Sequence, residues 1–318
     1  MYCQICPRAC NLNEGEIGNC RARANVGNKI IPLAYNKPCS IALDPMEKKP
    51  MFHFHPGTGV LSLGMAGCNL HCKNCQNDSI SQVSPRDIPY QEATPAMLVE
   101  WLQKNNIHSM AYTYTEPLVS FEYVLDCAKA VHEAGLKNVL VSAGYINPGP
   151  LNELLPYLDG ANIDLKTMSK EGYRENCGAE RDVVLNTLRT IAKSDCILEV
   201  TNLVIPRFND TEELLTEWCD FIRDELGAHI PVHFSRFFPL YKMTDREATP
   251  LPTLQLAKQI ARAKGLQFVY TGNVPGAETT CCPKCGNTLL VRSGFDVMLN
   301  KIRGGCCPEC GAAIYGRF

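Results

Sequence analysis

Residues Cys68-Asn69-Leu70-His71-Cys72-Lys73-Asn74-Cys75 set three cysteines at C-x3-C-x2-C spacing. Thiolates so spaced suit a 4Fe-4S cluster. Clusters devoted to electron transfer usually have all four irons held by protein, so a three-cysteine loop leaves one iron open to another ligand. The loop follows an apolar run, Val60 to Met65, read as a strand. The turn Gly64 to Gly67 then lets the backbone approach a bulky group. The competing reading is a zinc knuckle with His71 as fourth ligand. His71 directly precedes Cys72, which makes simultaneous tetrahedral coordination awkward.

Two further sets of cysteines flank this one. Cys282-Pro283-Lys284-Cys285-Gly286 and Cys307-Pro308-Glu309-Cys310-Gly311 are C-P-x-C-G knuckles, each aiming two thiolates at one tetrahedral ion, as in a zinc ribbon. Cys3, Cys6, Cys10 and Cys20 supply four thiolates at the head of the chain. Spacing does not separate a structural zinc from an auxiliary 4Fe-4S cluster there, and proline after Cys6 tilts the reading to zinc. Cys281 and Cys306 are read as spectators; Cys39, Cys127, Cys177, Cys196 and Cys219 are read as core thiols.

The elements that must position these residues follow from the pattern between head and tail. The chain has 318 residues, enough for a barrel-sized domain of ~200 to 250 residues plus attachments. Apolar runs alternate with amphipathic stretches. Extended segments are expected at 60–65, 109–115, 138–142, 161–165, 197–205, 232–237 and 267–270. Helices are expected at 119–134, 151–158 and 181–192, after Asp210, and near 254–263. Thr94-Pro95 reads as an N-cap and first helical position, with Leu98, Trp101 and Leu102 on one apolar face. This is an α/β pattern and predicts a partial (β/α)6-type TIM barrel, with chemistry at the strand carboxyl ends. The expected division is 1–50, a Cys-rich metal-binding segment; 51–275, the barrel; and 276–318, the zinc ribbon.

The C-x3-C-x2-C loop resembles the signature of the radical S-adenosylmethionine (SAM) superfamily. Asp44-Pro45-Met46-Glu47-Lys48-Lys49-Pro50, Phe52-His53-Phe54-His55-Pro56-Gly57 and Cys75-Gln76-Asn77 are similar to its glycyl-radical-activase-like branch. With the head Cys3 to Cys10 and the tail ribbon, the whole chain resembles the radical SAM enzymes of the AmmeMemoRadiSam system. The resemblance implies SAM chelating the open iron through its amino and carboxylate groups, then reductive cleavage to a 5'-deoxyadenosyl radical that takes hydrogen from a substrate. It implies catalytic Cys68, Cys72 and Cys75. Tyr114-Thr115-Glu116-Pro117 stands where the superfamily carries a Gly-Gly-Glu-like turn, so Tyr114, Thr115 and Glu116 would hold the SAM amino group. Glu116 could also simply begin a helix. Asp164 and Lys166 match an Asp-x-Lys strand end; two apart on a strand, they point the same way and could clamp the methionyl zwitterion. A late-strand histidine of the activases falls in register on Phe238, so His233 or Arg236 would replace it, and a satisfied core role competes for His233. Asn74 would hydrogen-bond adenine where an aromatic is common; Ser142 is a further candidate, and Tyr145 could equally be wall.

Formal charge is −2, with 31 basic and 33 acidic residues, which gives no footprint for non-specific nucleic-acid binding. No apolar run approaches the ~20 residues of a membrane span, and the first residues do not read as a signal peptide, so the expected compartment is the cytoplasm. The favoured function is hydrogen abstraction from a small molecule; the alternative is glycyl-radical activation of a partner protein, and a third is a non-catalytic zinc-ribbon adaptor. A reducing donor of flavodoxin or ferredoxin type is expected, and association implies Memo-like and AMME-type proteins as partners.

Overall fold

A computed structural model describes residues 1–318. The head forms a short hairpin of β1 (Arg23–Asn25) and β2 (Ile30–Pro32). Next come β3 (Ser40–Pro45), β4 (Gly59–Gly64), β5 (Ser109–Tyr112), β6 (Lys137–Ser142), β7 (Gly160–Asp164), β8 (Ile197–Val204), β9 (Val232–Arg236) and β10 (Val269–Gly272). These eight make one sheet in sequence order, from β3 at one edge to β10 at the other. Only β3 runs antiparallel, against β4. The other seven are parallel and almost wholly buried, as apolar strands covered on both faces must be.

Six longer helices, Pro95–Lys104, Phe121–Glu133, Pro148–Leu154, Arg181–Ala192, Glu212–Phe221 and Leu251–Ala263, make the crossovers between the seven parallel strands. The carboxyl ends therefore share one side of the sheet. Thr94 caps the first of these helices, its hydroxyl accepting from the Met97 N–H at 3.3 Å. Leu98 and Leu102 are buried beneath it, but Trp101 is 38% exposed, so the predicted apolar face is narrower than expected. The sheet ends at β3 and β10 without closing on itself.

The chain ends in a three-stranded antiparallel sheet of β11 (Ala277–Cys281), β12 (Thr288–Ser293) and β13 (Asp296–Asn300). Its apolar side packs with Phe52, Phe268 and Tyr270. The head is not separate from the main body either: β3 belongs to the large sheet, and Cys3, Ile5 and Cys6 lie in the main core.

Candidate functional site

The cysteine loop leaves the carboxyl end of β4 and is pinned from several sides. The Cys68 N–H donates to the Cys20 carbonyl at 3.1 Å, the His71 N–H to the Cys177 carbonyl at 2.9 Å, and the Lys73 N–H to the Asn176 carbonyl at 3.0 Å. Gly67 permits this course. Its φ is +94°, and a Cβ there would stand 2.6 Å from the Cys20 oxygen and 2.7 Å from the Ala22 Cβ. The Leu70 N–H donates to Cys68 Sγ at 3.3 Å, and Ser81 Oγ lies 3.1 Å from Cys75 Sγ. His71 turns away from the thiols: Nε2 meets Asn19 Oδ1 at 2.5 Å and Nδ1 lies 3.4 Å from Gln82 Oε1. That arrangement removes it as a fourth zinc ligand.

Three strand ends converge on this loop. Glu116, beyond β5, is fully buried. It accepts from Ser142 Oγ at 2.8 and 2.9 Å, from the Ala143 N–H at 2.9 Å, and from the Leu118 N–H at 3.2 Å. It thus begins a helical turn and also faces the site. Burial pushes its carboxyl up to about 7, although the hydrogen bonds pull the other way. Its charge and, first, burial hold the Cys68 thiol well above its usual range.

At the end of β7, Lys166 Nζ pairs with Asp164 Oδ2 at 2.9 Å. Burial opposes the ammonium, but Asp164 and the sulfurs of Cys72 and Cys177 outweigh it and raise Lys166 well above the lysine range. The turn is held by Asn209 Nδ2 on the Lys166 carbonyl at 2.6 Å and by Trp218 Nε1 on the Leu165 carbonyl at 3.0 Å. A cation and a buried acid therefore flank the thiols, an arrangement complementary to a zwitterionic amino acid.

The other predicted residues have different places. Thr115 Oγ1 donates to the Met65 carbonyl at 2.6 Å, beside the loop. Tyr114 has φ +71°; its hydroxyl donates to Asp44 while its carbonyl accepts from Asn77 Nδ2 at 2.6 Å, so only its backbone addresses the loop. Asn74 is buried, its Oδ1 accepting from Asn176 Nδ2 at 2.9 Å. Arg236 does reach a strand end, where Nε donates to the Thr249 carbonyl at 2.8 Å and the guanidinium lies 5.0 Å from the Phe238 ring centre. Tyr145 is buried, with Arg8 over its ring.

His233, open on sequence between a cofactor contact and a core role, is buried within the sheet. It is the second residue of β9, and its Nε2 is bonded to Glu199 Oε2 at 2.6 Å with Phe52 edge-on at 4.8 Å. Burial alone would raise Glu199, but His233 outweighs it and holds the carboxyl low. Sequence alternation shows which side of a strand a residue takes but not its height in the sheet, and height decides here.

Cys177, read as a plain core thiol, lies against the cluster loop. The neighbouring Cys177 thiol draws the Cys72 thiol down to about 7, against the effect of burial. The wide helical turn Tyr173–Cys177 brings it there; the sequence offered only an extra cysteine eleven residues after Lys166 as a signal.

Cys282, Cys285, Cys307 and Cys310 converge, their sulfurs all within 4.8 Å of one another. Such a set can hold one metal ion. Cys3, Cys6, Cys10 and Cys20 line a single cavity in the head. Cys68, Cys72 and Cys75 are all half-buried on the one loop, and three thiolates are one fewer than a closed four-iron cluster takes from protein.

The radical SAM superfamily model matches residues 63–219. Uncharacterized protein MJ0808 of Methanocaldococcus jannaschii is 45% identical over 299 residues, which is 93% of this chain and 89% of that one. The 4-hydroxyphenylacetate decarboxylase activating enzyme of Clostridium scatologenes is 24% identical over 161 residues, 48% of this chain; the match spans 52% of that enzyme. Among solved structures, Streptococcus suis SuiB bound to S-adenosylmethionine has a TM-score of 0.54 at 12% identity, covering 72% of this chain and 53% of SuiB. That likeness is one of fold.

Proposed function

We propose, from the premise that this chain belongs to the radical SAM superfamily, that it is an enzyme which cleaves SAM reductively at Cys68, Cys72 and Cys75 and takes a hydrogen atom from a substrate. The carrying observation is three cysteines of one loop beside a buried acid beyond β5 and a lysine beyond β7. The cluster and SAM, when bound, supply the electron and the hydrogen-abstracting radical. The chain supplies position and charge. Cys68, Cys72 and Cys75 would ligate three irons; Glu116, kept in place by Ser142 and Ala143, would accept from the SAM ammonium; Lys166 would meet its carboxylate once Asp164 turns to the ammonium.

In this reading the seven parallel strands are the superfamily's partial barrel, within 51–275, with the head at 1–50, which lends β3 to the sheet's edge, and the ribbon at 276–318. The ribbon's sulfur pairs, 3.6 Å for Cys282–Cys310 and 3.7 Å for Cys285–Cys307, match the edge of a zinc tetrahedron, about 3.8 Å for Zn–S bonds near 2.3 Å. Zinc is therefore the proposed ion. A low-potential flavodoxin- or ferredoxin-type donor completes the reaction. Memo-like and AMME-type partners remain proposals resting on the family resemblance.

A small molecule is the substrate reading that the sequence favours. One observation favours the other reading: the match to an enzyme named as activating a decarboxylase, which supports a protein partner. Deuterated metabolite extracts and deuterated partner proteins, offered in turn to the reduced enzyme, separate the two by which one labels 5'-deoxyadenosine. The chemistry itself is tested first. Anaerobically reconstituted protein should show broad 4Fe-4S absorption and cleave SAM on reduction, and Cys68→Ala, Cys72→Ala and Cys75→Ala should each lose cleavage at least a hundredfold. Cys177→Ala should keep it, since Cys177 is a neighbour and not the fourth ligand. Undiminished SAM turnover in the three loop variants, or its loss in Cys177→Ala with the fold intact, defeats the assignment.

A further inference from the structure

We propose, resting on the reaction assigned above, that Asp44 and Lys49 are positioning residues for SAM, acting through the Tyr114 side chain on the turn that carries Glu116. Tyr114 has a φ of +71°, a left-handed conformation that bulky side chains avoid. Such a conformation persists only where its surroundings hold it.

The side chain supplies that hold. Its hydroxyl donates to Asp44 Oδ2 on β3, and the same oxygen accepts from Lys49 Nζ at 2.6 Å. Lys49 Nζ also lies 4.4 Å from the centre of the tyrosine ring, within the range of a cation–π contact. Asp44 and Lys49 are both buried, where salt and solvent screen such contacts little. Burial alone would raise the Asp44 carboxyl, but Lys48, Lys49 and the Tyr114 hydroxyl outweigh it and hold the group well below the usual carboxylate range. The acceptor is therefore a carboxylate, and its bond to the hydroxyl is charge-assisted. Gly64, which ends β4, makes room for the ring: a Cβ there would stand 2.8 Å from Tyr114 Cδ2.

From the same turn, bonds run to both ends of the cysteine loop. The Tyr114 carbonyl accepts from Asn77 Nδ2 at 2.6 Å, and Thr115 Oγ1 donates to the Met65 carbonyl at 2.6 Å. Met65 precedes Cys68 and Asn77 follows Cys75, so the turn is braced against the loop on one side and against β3 on the other. Glu116, the acid proposed to meet the SAM ammonium, comes two residues after Tyr114. Any relaxation of the tyrosine backbone therefore displaces that carboxyl, and the buried Asp44–Lys49 pair is what opposes it.

The test is the SAM dissociation constant, read by equilibrium dialysis on anaerobically reconstituted protein well below its melting temperature, with iron counted on each sample. Tyr114→Phe keeps the ring and loses the hydroxyl. It should bind SAM about tenfold more weakly, the scale of one charge-assisted hydrogen bond, at the native iron content. Lys49→Met, which takes the cation from both the carboxylate and the ring, should weaken binding several-fold. Adding Asp44→Asn to Tyr114→Phe should weaken it no further, because the path from Asp44 to the turn runs through the missing hydroxyl. Tyr114→Gly and Tyr114→Ala both lose the anchor, but only glycine takes a positive φ without strain, so the glycine variant should bind SAM more tightly than the alanine variant. A merely structural role would lower the melting temperature of these proteins and leave the affinity of the folded fraction alone. Native affinity in Tyr114→Phe or Lys49→Met, a further loss in the double variant, equal affinities for glycine and alanine, or iron lost from Tyr114→Phe each overturns the inference and leaves the proposed reaction standing. Native protein that holds its cluster and binds no SAM removes that reaction, and this inference with it.

Discussion

Glu116 shows how much one buried carboxyl can reveal. With an unperturbed value of 4.5, it is pushed up to about 7, first by burial. Between those values the folded chain keeps a proton that the unfolded chain releases, so this group's contribution to stability falls as pH rises through the window and is level above it. A shift of that size corresponds to about 3 kcal/mol as an upper bound. Glu116→Gln has no proton to lose. Its unfolding midpoint in urea should therefore fall less than the native protein's between about pH 5 and pH 8, and parallel pH profiles would show that the carboxyl does not titrate there. The sequence marked Glu116, Asp164 and Lys166 because short motifs fix their strand-end positions. It could not mark Cys177 or Asn176, whose roles depend on which turn folds over the loop, nor place His233, whose ring pairs with a glutamate thirty-four residues away in sequence.

At the scale of elements, the loop–head junction is the tightest feature of the site. Gly67 is the pivot, at a φ of +94° with the Cys20 carbonyl and Ala22 directly against its missing side chain. Gly67→Ala therefore combines a backbone conformation that L-residues avoid with a clash against main chain that cannot swing aside, a cost of roughly 2 kcal/mol or more. Gly135, also at positive φ but with nothing within 4 Å of a built Cβ, isolates the conformational part, about 1 kcal/mol on changing it to alanine. Thermal melts and iron content should separate the pair: Gly135→Ala mildly destabilised with normal iron, Gly67→Ala more so and depleted in iron. Equal effects would mean the head does not press on the loop. The alternating strands and helices were legible because parallel strands are continuous apolar runs and crossover helices are amphipathic. The three-residue β1 and β2, the wide turn Tyr173–Cys177 and the exposure of Trp101 were not, since none has a period long enough to read.

For the whole molecule, the question is what fastens the ribbon to the sheet. Arg292, on β12, is fully buried. It donates from Nη2 to the Phe52 carbonyl at 2.5 Å and from Nη1 to Thr280 Oγ1 at 3.0 Å, lies 3.5 Å from Glu47 Oε1, and stacks 4.3 Å from the Phe52 ring centre. From Thr280 the chain of bonds runs through the Tyr270 hydroxyl to His53, whose own N–H donates to Glu199. The segment between β3 and β4, which on sequence merely supported a family resemblance, is thus the polar joint between ribbon and sheet. Glu47 is also fully buried, and burial already raises its carboxyl against the pull of Arg292. Arg292→Met would leave that charge unpaired, at about 3 to 5 kcal/mol, whereas replacing both members of such a pair is often close to neutral. Urea unfolding should therefore find Arg292→Met strongly destabilised and Glu47→Gln/Arg292→Met recovering a large part of the loss. If the double variant is as weak as the sum of the singles, the ion pair is not the fastening, and the apolar contact of the ribbon with Phe52, Phe268 and Tyr270 must carry it instead.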